Sequence, residues 1–326
     1  MSSVPETLFF ESIVRPEHRH WTLLDSLCER FTYHSREEWE DRLARGLVTR
    51  NGQQATAGDI VAVKDKVVYR VDGYTEPPVP THFETIFEDE EFVLVGKPAG
   101  IPVHHTGRIF YNTFTGVVRR AFGNEEMIPM HRLDRDTGGL ILFAKNHDTA
   151  TRFQKNLDHI LLRKIYLAVV PGIFPEQEFT CNIPLREDPA SEIKLQMHPR
   201  ENGKSCTTIF KRRFLINSSE FPLSGPVSVV EAELITGRKH QIRAHLAALG
   251  FPIVGDRLYS HGGRYYLKMT REPLSDADFA VLGAPNQMLH AYKAFVRLPY
   301  WKEGRWFESR DFSPEMGSLL TRISDF

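Results

Sequence analysis

Between Val230 and Leu249 the spacing of apolar residues changes from two to 3.6, and that change limits what the chain can fold into. Val230, Ala232 and Leu234 alternate with Glu231 and Glu233, the pattern of a strand with one wet face. Directly after Thr236-Gly237, residues Ile242, Leu246 and Leu249 share one helical face, and Gly250 and Pro252 then act as stop signals. Sheet and helix therefore meet at the basic cluster around Arg238-Lys239. Further apolar runs at Glu91 to Val95, Gly139 to Phe143 and Tyr166 to Val170 read as buried strands between polar turns. No internal repeat is present, which excludes solenoids and propellers.

The first part of the chain reads differently. Leu23, Leu24, Leu27 and Phe31 recur at helical spacing, and Ser35 with Glu38 forms a capping box ahead of Trp39 and Leu43. Gly46 ends that helix. Leu47 to Arg50, the Asn51-Gly52 turn and Ile60 to Val63 then suggest a hairpin. Pro77, Pro78 and Pro80 mark a linker. The expected organisation is a small domain over 15–75, a linker over 76–84 and a larger domain over 85–326.

The 326 residues contain no run of eighteen apolar side chains, so no membrane span is expected. Met1 to Phe10 lacks the features of a secretory signal, and a cytoplasmic protein is expected. Cys28, Cys181 and Cys206 are widely scattered and read as reduced thiols. The formal net charge of -1 hides a regional imbalance: Lys194 to Arg271 holds 13 basic and 5 acidic residues. Lys211-Arg212-Arg213 and Arg238-Lys239 are its densest parts. Such a run is either a solvated face or a surface for a polyanion.

Chemistry is most concentrated in His131-Arg132-Leu133-Asp134-Arg135-Asp136-Thr137-Gly138-Gly139-Leu140, a glycine-rich turn before a strand. Asp134 lies between two arginines, which favour an ionised carboxylate suited to a nucleophile or a base. A turn held by ion pairs has the same composition. His104-His105, and His240 with His245, lack the spacing of zinc ligands. Neither phosphate-cradling glycine pattern occurs, so no nucleotide cofactor is implied.

His131 to Leu140, followed by Phe143-Ala144-Lys145-Asn146, resembles the central motif of the RluA-type pseudouridine synthases, whose catalytic aspartate would be Asp134. Four more blocks are similar, in family order: Glu88-Asp89-Glu90 with Lys97-Pro98-Ala99-Gly100 and His104; Arg163 to Ala168; Thr236 to Leu246, continued by Gly250 to Tyr259; and Leu289-His290-Ala291. The resemblance spans about Thr85 to Pro299. It implies an α+β fold, with a mixed, largely antiparallel sheet in the catalytic domain, preceded by a small α/β RNA-binding domain. It implies an isomerase that converts uridine to pseudouridine in ribosomal or transfer RNA without cofactor or metal. No protein partner is implied.

By the same resemblance Arg243 would pair with Asp134, and Tyr166 would stack on the flipped base or deprotonate it. Helical geometry allows the first role, because Arg243 adjoins the buried stripe of Ile242 and Leu246. The RNA contacts expected are Arg132, Lys164, Lys211, Arg212, Arg213, Arg238, Lys239 and His240. Gly138 departs from the serine usual in the family. Two other readings compete: a binding protein that has lost catalysis, and a hydrolase that uses the same carboxylate on a nucleoside bond.

Overall fold

The computed structural model describes residues 7–31, 34–106, 109–217 and 225–323. The chain divides into two compact units, Met1–Pro78 with His105–Asn112, and Val79–His104 with Thr113–Phe326. The return of 105–112 to the first unit has no counterpart in the sequence pattern.

In the first unit, β1 (Thr7–Ile13) precedes α1 (Leu23–Arg30), α2 (Arg36–Ala44), β2 (Val48–Arg50), β3 (Gln53–Gln54) and β4 (Lys66–Asp72). The strands form a sheet in the order β1-β4-β2-β3. Both helices start on side-chain caps. The Thr22 hydroxyl accepts from the Asp25 amide, and Ser35 and Glu38 make both bonds of the capping box. Leu23, Leu27, Trp39, Val48 and Tyr69 fill the core. The expected strand at Ile60 to Val63 does not form. The Ala62 amide instead donates to Asp65 Oδ2 at 2.9 Å, closing a turn, and only Val61 of this run is buried as a core plug. Across the Asn51-Gly52 turn β2 pairs with β3, and β4 lies on its other side.

The second unit is built on a ten-stranded sheet. In chain order its elements include β5 (Glu84–Glu88), β6 (Phe92–Lys97), α3 (Phe114–Phe122), β7 (Ile128–Pro129), β8 (Gly138–Ala144), α4 (His147–Phe153) and β9 (Leu161–Pro171). After them come β10 (Phe179–Cys181), β11 (Leu185–Glu187), β12 (Met197–Pro199), β13 (Thr208–Ile216), β14 (Val227–Leu234), α5 (Gln241–Ala248), β15 (Leu289–Val296) and β16 (Arg305–Glu308). The sheet order is β10-β13-β14-β9-β15-β8-β6-β5, with β16 on β15 and β7 on β8, while β11 and β12 form a separate ribbon. The fold is thus mixed α+β with a largely antiparallel sheet.

Continuous apolar runs in β6 and β8 follow from burial on both faces. Val93, Val95, Ile141 and Phe143 enter one core, and Phe92, Leu94, Leu140 and Leu142 the other. Ile242 and Leu246 of α5 pack into the first core, so the helix lies on the sheet as its periodicity requires.

One pairing breaks the antiparallel rule. β8 runs parallel to β15 through His290 opposite Gly138 and Ala291 opposite Gly139. Gly139 has φ +107°, and a Cβ there would lie 2.3 Å from the Ala291 carbonyl oxygen, so only glycine permits this approach. The Asp134 turn sits immediately ahead of this crossing.

Candidate active site

The turn that carries Asp134 is held mainly through its backbone. The Thr137 amide donates to the Asp134 carbonyl at 3.1 Å, and the Gly100 amide to the Arg135 carbonyl at 2.9 Å. Beneath it lies Lys97, the last residue of β6, which is 1% exposed. Its Nζ donates to the carbonyls of Pro98 (2.8 Å), Ile101 (2.8 Å) and Arg135 (3.0 Å). Burial pushes the Lys97 pKa down to about 7, opposed by Asp136 and Asp134. Three acceptors match the three N–H bonds of an ammonium, so the geometry favours the charged form. Sequence reading passed over Lys97 as a site residue, although a lysine closing a wholly apolar strand was its signal.

From the other side comes Arg243, which α5 directs inward. Its Nη1 donates to Asp134 Oδ2 at 2.7 Å, while Nε and Nη2 donate to Asp256 Oδ2 and Oδ1 at 2.7 and 2.9 Å. Asp256 is fully buried and also accepts from the amides of Leu258 and Tyr259 at 2.9 and 3.0 Å. The guanidinium is therefore forked onto one carboxylate and leaves one edge for the other. Its carbon lies 5.1 Å from the centre of the Tyr259 ring, in cation–π contact. Asp256 was not expected from sequence. The Gly255-Asp256 pair in the turn after α5 was visible, but nothing in its spacing said that it faces Arg243.

This arrangement sets the charge on Asp134, whose side chain is 25% exposed. Burial would raise its pKa, but Arg243, then His240 and Arg132, hold the carboxyl below the ordinary value. Asp134 therefore remains an ionised carboxylate, held so by the Arg243 guanidinium even though Asp256 shares that cation. That is the state needed by a nucleophile or base.

Tyr166 stands on β9 between Ala232 of β14 and Ala291 of β15. It is 9% exposed, and burial together with the Asp134 charge raises its phenol far above the ordinary range. The ring therefore stays protonated at neutral pH. With His131 and Lys164 it borders a cavity of about 10 Å³, room for one water and too little for a pyrimidine. A Cβ added at Gly138 would meet His290 Nδ1 at 3.0 Å and the Lys97 carbonyl oxygen at 3.2 Å, so a serine there would press on both.

The expected RNA contacts separate into four groups. Arg132, Arg238 and Lys239 are exposed near Asp134 in sequence or on the turn before α5, although Lys239 also pairs with Glu187 at 2.9 Å. Lys164 points to Asp158 at 3.4 Å. On β13, Arg212 is bound to Glu176 and the Phe174 carbonyl, and Arg213 lies 3.6 Å from Glu231. His240 is turned inward, with Nε2 3.6 Å from Asp134 Oδ1 and Nδ1 3.1 Å from the Tyr259 hydroxyl. Among the described residues no group of three or more His, Cys, Asp or Glu side chains could hold a metal, and no helix is long and apolar enough to cross a membrane.

The mixed sheet thus presents a carboxylate on a turn, clamped by a buried arginine from the helix that packs on that sheet. The family model for RNA pseudouridylate synthase matches residues 91–248. A Synechocystis sp. protein, named an uncharacterized RNA pseudouridine synthase, is 28% identical over 83% of this chain and 90% of its own length. The mitochondrial tRNA pseudouridine(32) synthase of Saccharomyces cerevisiae is 32% identical over 79% of this chain, which spans about half (54%) of the yeast protein. Human RNA Pseudouridylate Synthase Domain Containing 1 has the same fold, with a TM-score of 0.55 and 23% identity over 75% of this chain and 90% of that one. The chain belongs to the RNA pseudouridine synthase family, a family of isomerases.

Proposed function

We propose that this chain converts specific uridines in structured ribosomal or transfer RNA to pseudouridine, with Asp134 as the catalytic carboxylate. The reaction breaks the bond from ribose C1′ to N1, turns the base and joins C1′ to C5. The C5 proton is lost and N1 gains one, so nothing is oxidised and no group leaves. Asp134 acts either as nucleophile at C1′ or as base at C2′, and both routes need it ionised. Arg243 orients it and keeps it so.

The observation that carries this reading is the one-sided grip on Asp134: one edge of a buried guanidinium, the rest of which Asp256 occupies. Tyr166 fits stacking on the extruded base better than removal of its C5 proton, because its raised phenol is a poor source of phenolate. Arg132, Arg238 and Lys239 would follow the phosphates, with a smaller share for Lys164 and for Lys211, Arg212 and Arg213. Names of relatives support a transfer RNA target, since the yeast protein above is named for one. Residues 15–75 would add a second RNA contact.

The test is to incubate purified protein with total RNA from cells that lack its gene and to map pseudouridine by position. New pseudouridine with the wild type and none with Asp134→Asn is expected. Release of free uracil would identify a hydrolase instead. RNA binding without either product would identify a binding protein.

A further inference from the structure

His240 stands at an unusual place in the chain. Its φ of +54° and ψ of 20° are left-handed, although it precedes α5 as the N-cap and makes no capping bond with its side chain. A non-glycine residue in that region costs on the order of 1 kcal/mol. The position delivers an imidazole that is 12% exposed and wedged between Asp134 and Tyr259.

The hydrogen bonds around it select one tautomer. Tyr259 oxygen accepts from the Met197 amide at 2.8 Å. Its own proton then points to an acceptor, and His240 Nδ1 lies 3.1 Å away. With Nδ1 accepting, the ring proton sits on Nε2. That nitrogen faces Asp134 Oδ1 at 3.6 Å, where a bare lone pair would be repelled by the carboxylate and an N–H is attracted. Both ends of the ring demand the same proton placement.

On the reading of Asp134 given above, we propose that His240 is a positioning residue for this reaction, holding a neutral Nε2–H on Asp134 Oδ1 while Arg243 holds Oδ2. The carboxylate is then fixed through both oxygens, and its plane is set relative to the ribose. The 3.6 Å separation is long, and a small shift as RNA fills the site would bring it within hydrogen-bond range. The charged and titratable groups facing the imidazole are Asp134 on the turn, Lys239 and Arg243 on either side of it in sequence, and Asp256 and Tyr259 in the segment after α5. Burial dominates among them and pushes the imidazole pKa down to about 4, which leaves it a neutral donor at pH 7. An imidazole of this kind has little affinity for phosphate, so the RNA-contact role expected from its place in the basic cluster is replaced by a role at the carboxylate.

Two isosteric substitutions separate this role from simple support of Tyr259. In His240→Gln the side-chain amide reaches the Nε2 position and keeps a donor for Asp134. In His240→Asn the amide reaches only the Nδ1 position and keeps only the Tyr259 contact. The single-turnover rate at saturating RNA should fall about ten- to hundredfold in His240→Asn and within about fivefold in His240→Gln, with RNA affinity unchanged in both. The acid limb of the pH–rate profile should move to higher pH in His240→Asn alone, because Asp134 loses a donor to its charged form. Equal rates in the two variants, or a better asparagine, with the limb unmoved, would reduce His240 to a strut for Tyr259. Nitrogen-15 shifts of the His240 ring in the wild-type protein give a reading independent of activity and of variant folding. A proton on Nε2 is expected, and one on Nδ1 would overturn the proposal. If the wild type forms no pseudouridine in any RNA, the functional reading fails, while the ring nitrogens still judge the tautomer.

Discussion

Arg212 on β13 and Arg243 on α5 both come from the basic stretch between Lys194 and Arg271, yet the structure uses them in opposite ways. Arg212 is paired with the exposed Glu176 and donates to the Phe174 carbonyl. Arg243 is 7% exposed and binds two carboxylates through three separate donors. The first pair has one partner open to solvent, Glu176 at 83% exposure, so it contributes at most about 1 kcal/mol and is screened by salt. The second cannot be opened cheaply, since removing one member leaves a buried charge unpaired at a cost of about 3–5 kcal/mol. Local charge density, equal for both in the sequence, says nothing about this difference; which face of an element is buried decides it.

The sharpest way to break the comparison is at Asp134, where the largest effect is expected. Asp134→Asn should lower the single-turnover rate by at least about a thousandfold while leaving RNA affinity within a few-fold, since the lost group acts on the sugar and phosphate contacts dominate binding. Turnover within tenfold of wild type would remove Asp134 from the chemistry.

Arg243 comes next. Lysine offers a point charge where the structure uses a planar fork, and it cannot serve Asp256 with two donors and Asp134 with a third. Arg243→Lys should therefore cost about a hundredfold in rate, and normal activity would show that Asp134 has no need of the clamp. Arg243→Gln adds a pH signature with a definite sign. Arg243 opposes the burial that would raise the Asp134 carboxyl, so removing its charge should raise that pKa and shift the acid limb of activity upward. In the wild type the Asp134 pKa is depressed, so its contribution to stability is present above the ordinary carboxylate range and lost as pH falls through the folded pKa. A variant profile that coincides with the wild type would contradict the charge argument.

These residues also show what could be read before the structure. The helix that carries Arg243 was legible from Ile242, Leu246 and the Gly250 and Pro252 stops, and so was the inward reach of a residue beside that stripe. The partner Asp256 was not, because it sits thirteen positions later in a turn with no period to place it. Lys97 was hidden for a related reason: three carbonyls from two turns converge on it, and no sequence pattern records where backbone oxygens point. The buried strands β6 and β8 were visible as apolar runs. Their order was not, and the parallel contact between β8 and β15 depends on a glycine backbone angle rather than on polarity. At Ile60 to Val63 the β-branched pattern misled, because a four-residue turn closed by Asp65 outweighed strand propensity.

A smaller effect is expected on β13. If its cations followed the RNA backbone freely, replacing Lys211, Arg212 and Arg213 by alanine would reduce the slope of log affinity against log salt by about two to three. Two of the three already have carboxylate partners, while Lys211 has none within 4 Å among the described residues. The slope should therefore fall by about one, and affinity by about fivefold, for every RNA tested. A full three-charge loss would show that RNA displaces Glu176 and Glu231, which would bring β13 closer to α5 in function than its ion pairs suggest.

The smallest effect on the chemistry belongs to the first unit, a tethered second RNA contact that raises effective concentration without entering the reaction. Its basic and acidic residues from Arg15 to Asp72 number ten each, so any binding it adds must come from how they are distributed. Where the chain is cut matters. The Glu76 carboxylate accepts from the amides of Phe110, Tyr111 and Asn112 at 2.6, 2.8 and 2.7 Å, and removing it would strand three donors of the 105–112 segment. Deletion of Met1 to Thr75 keeps that carboxylate. On the tether model this truncation raises the RNA concentration for half-maximal rate about three- to tenfold and leaves the saturating single-turnover rate within about threefold. A folded truncation that remains slow at saturating RNA would instead make the first unit part of the catalytic assembly. The distinction between a region that binds and a region that reacts would then have to be drawn elsewhere in the chain.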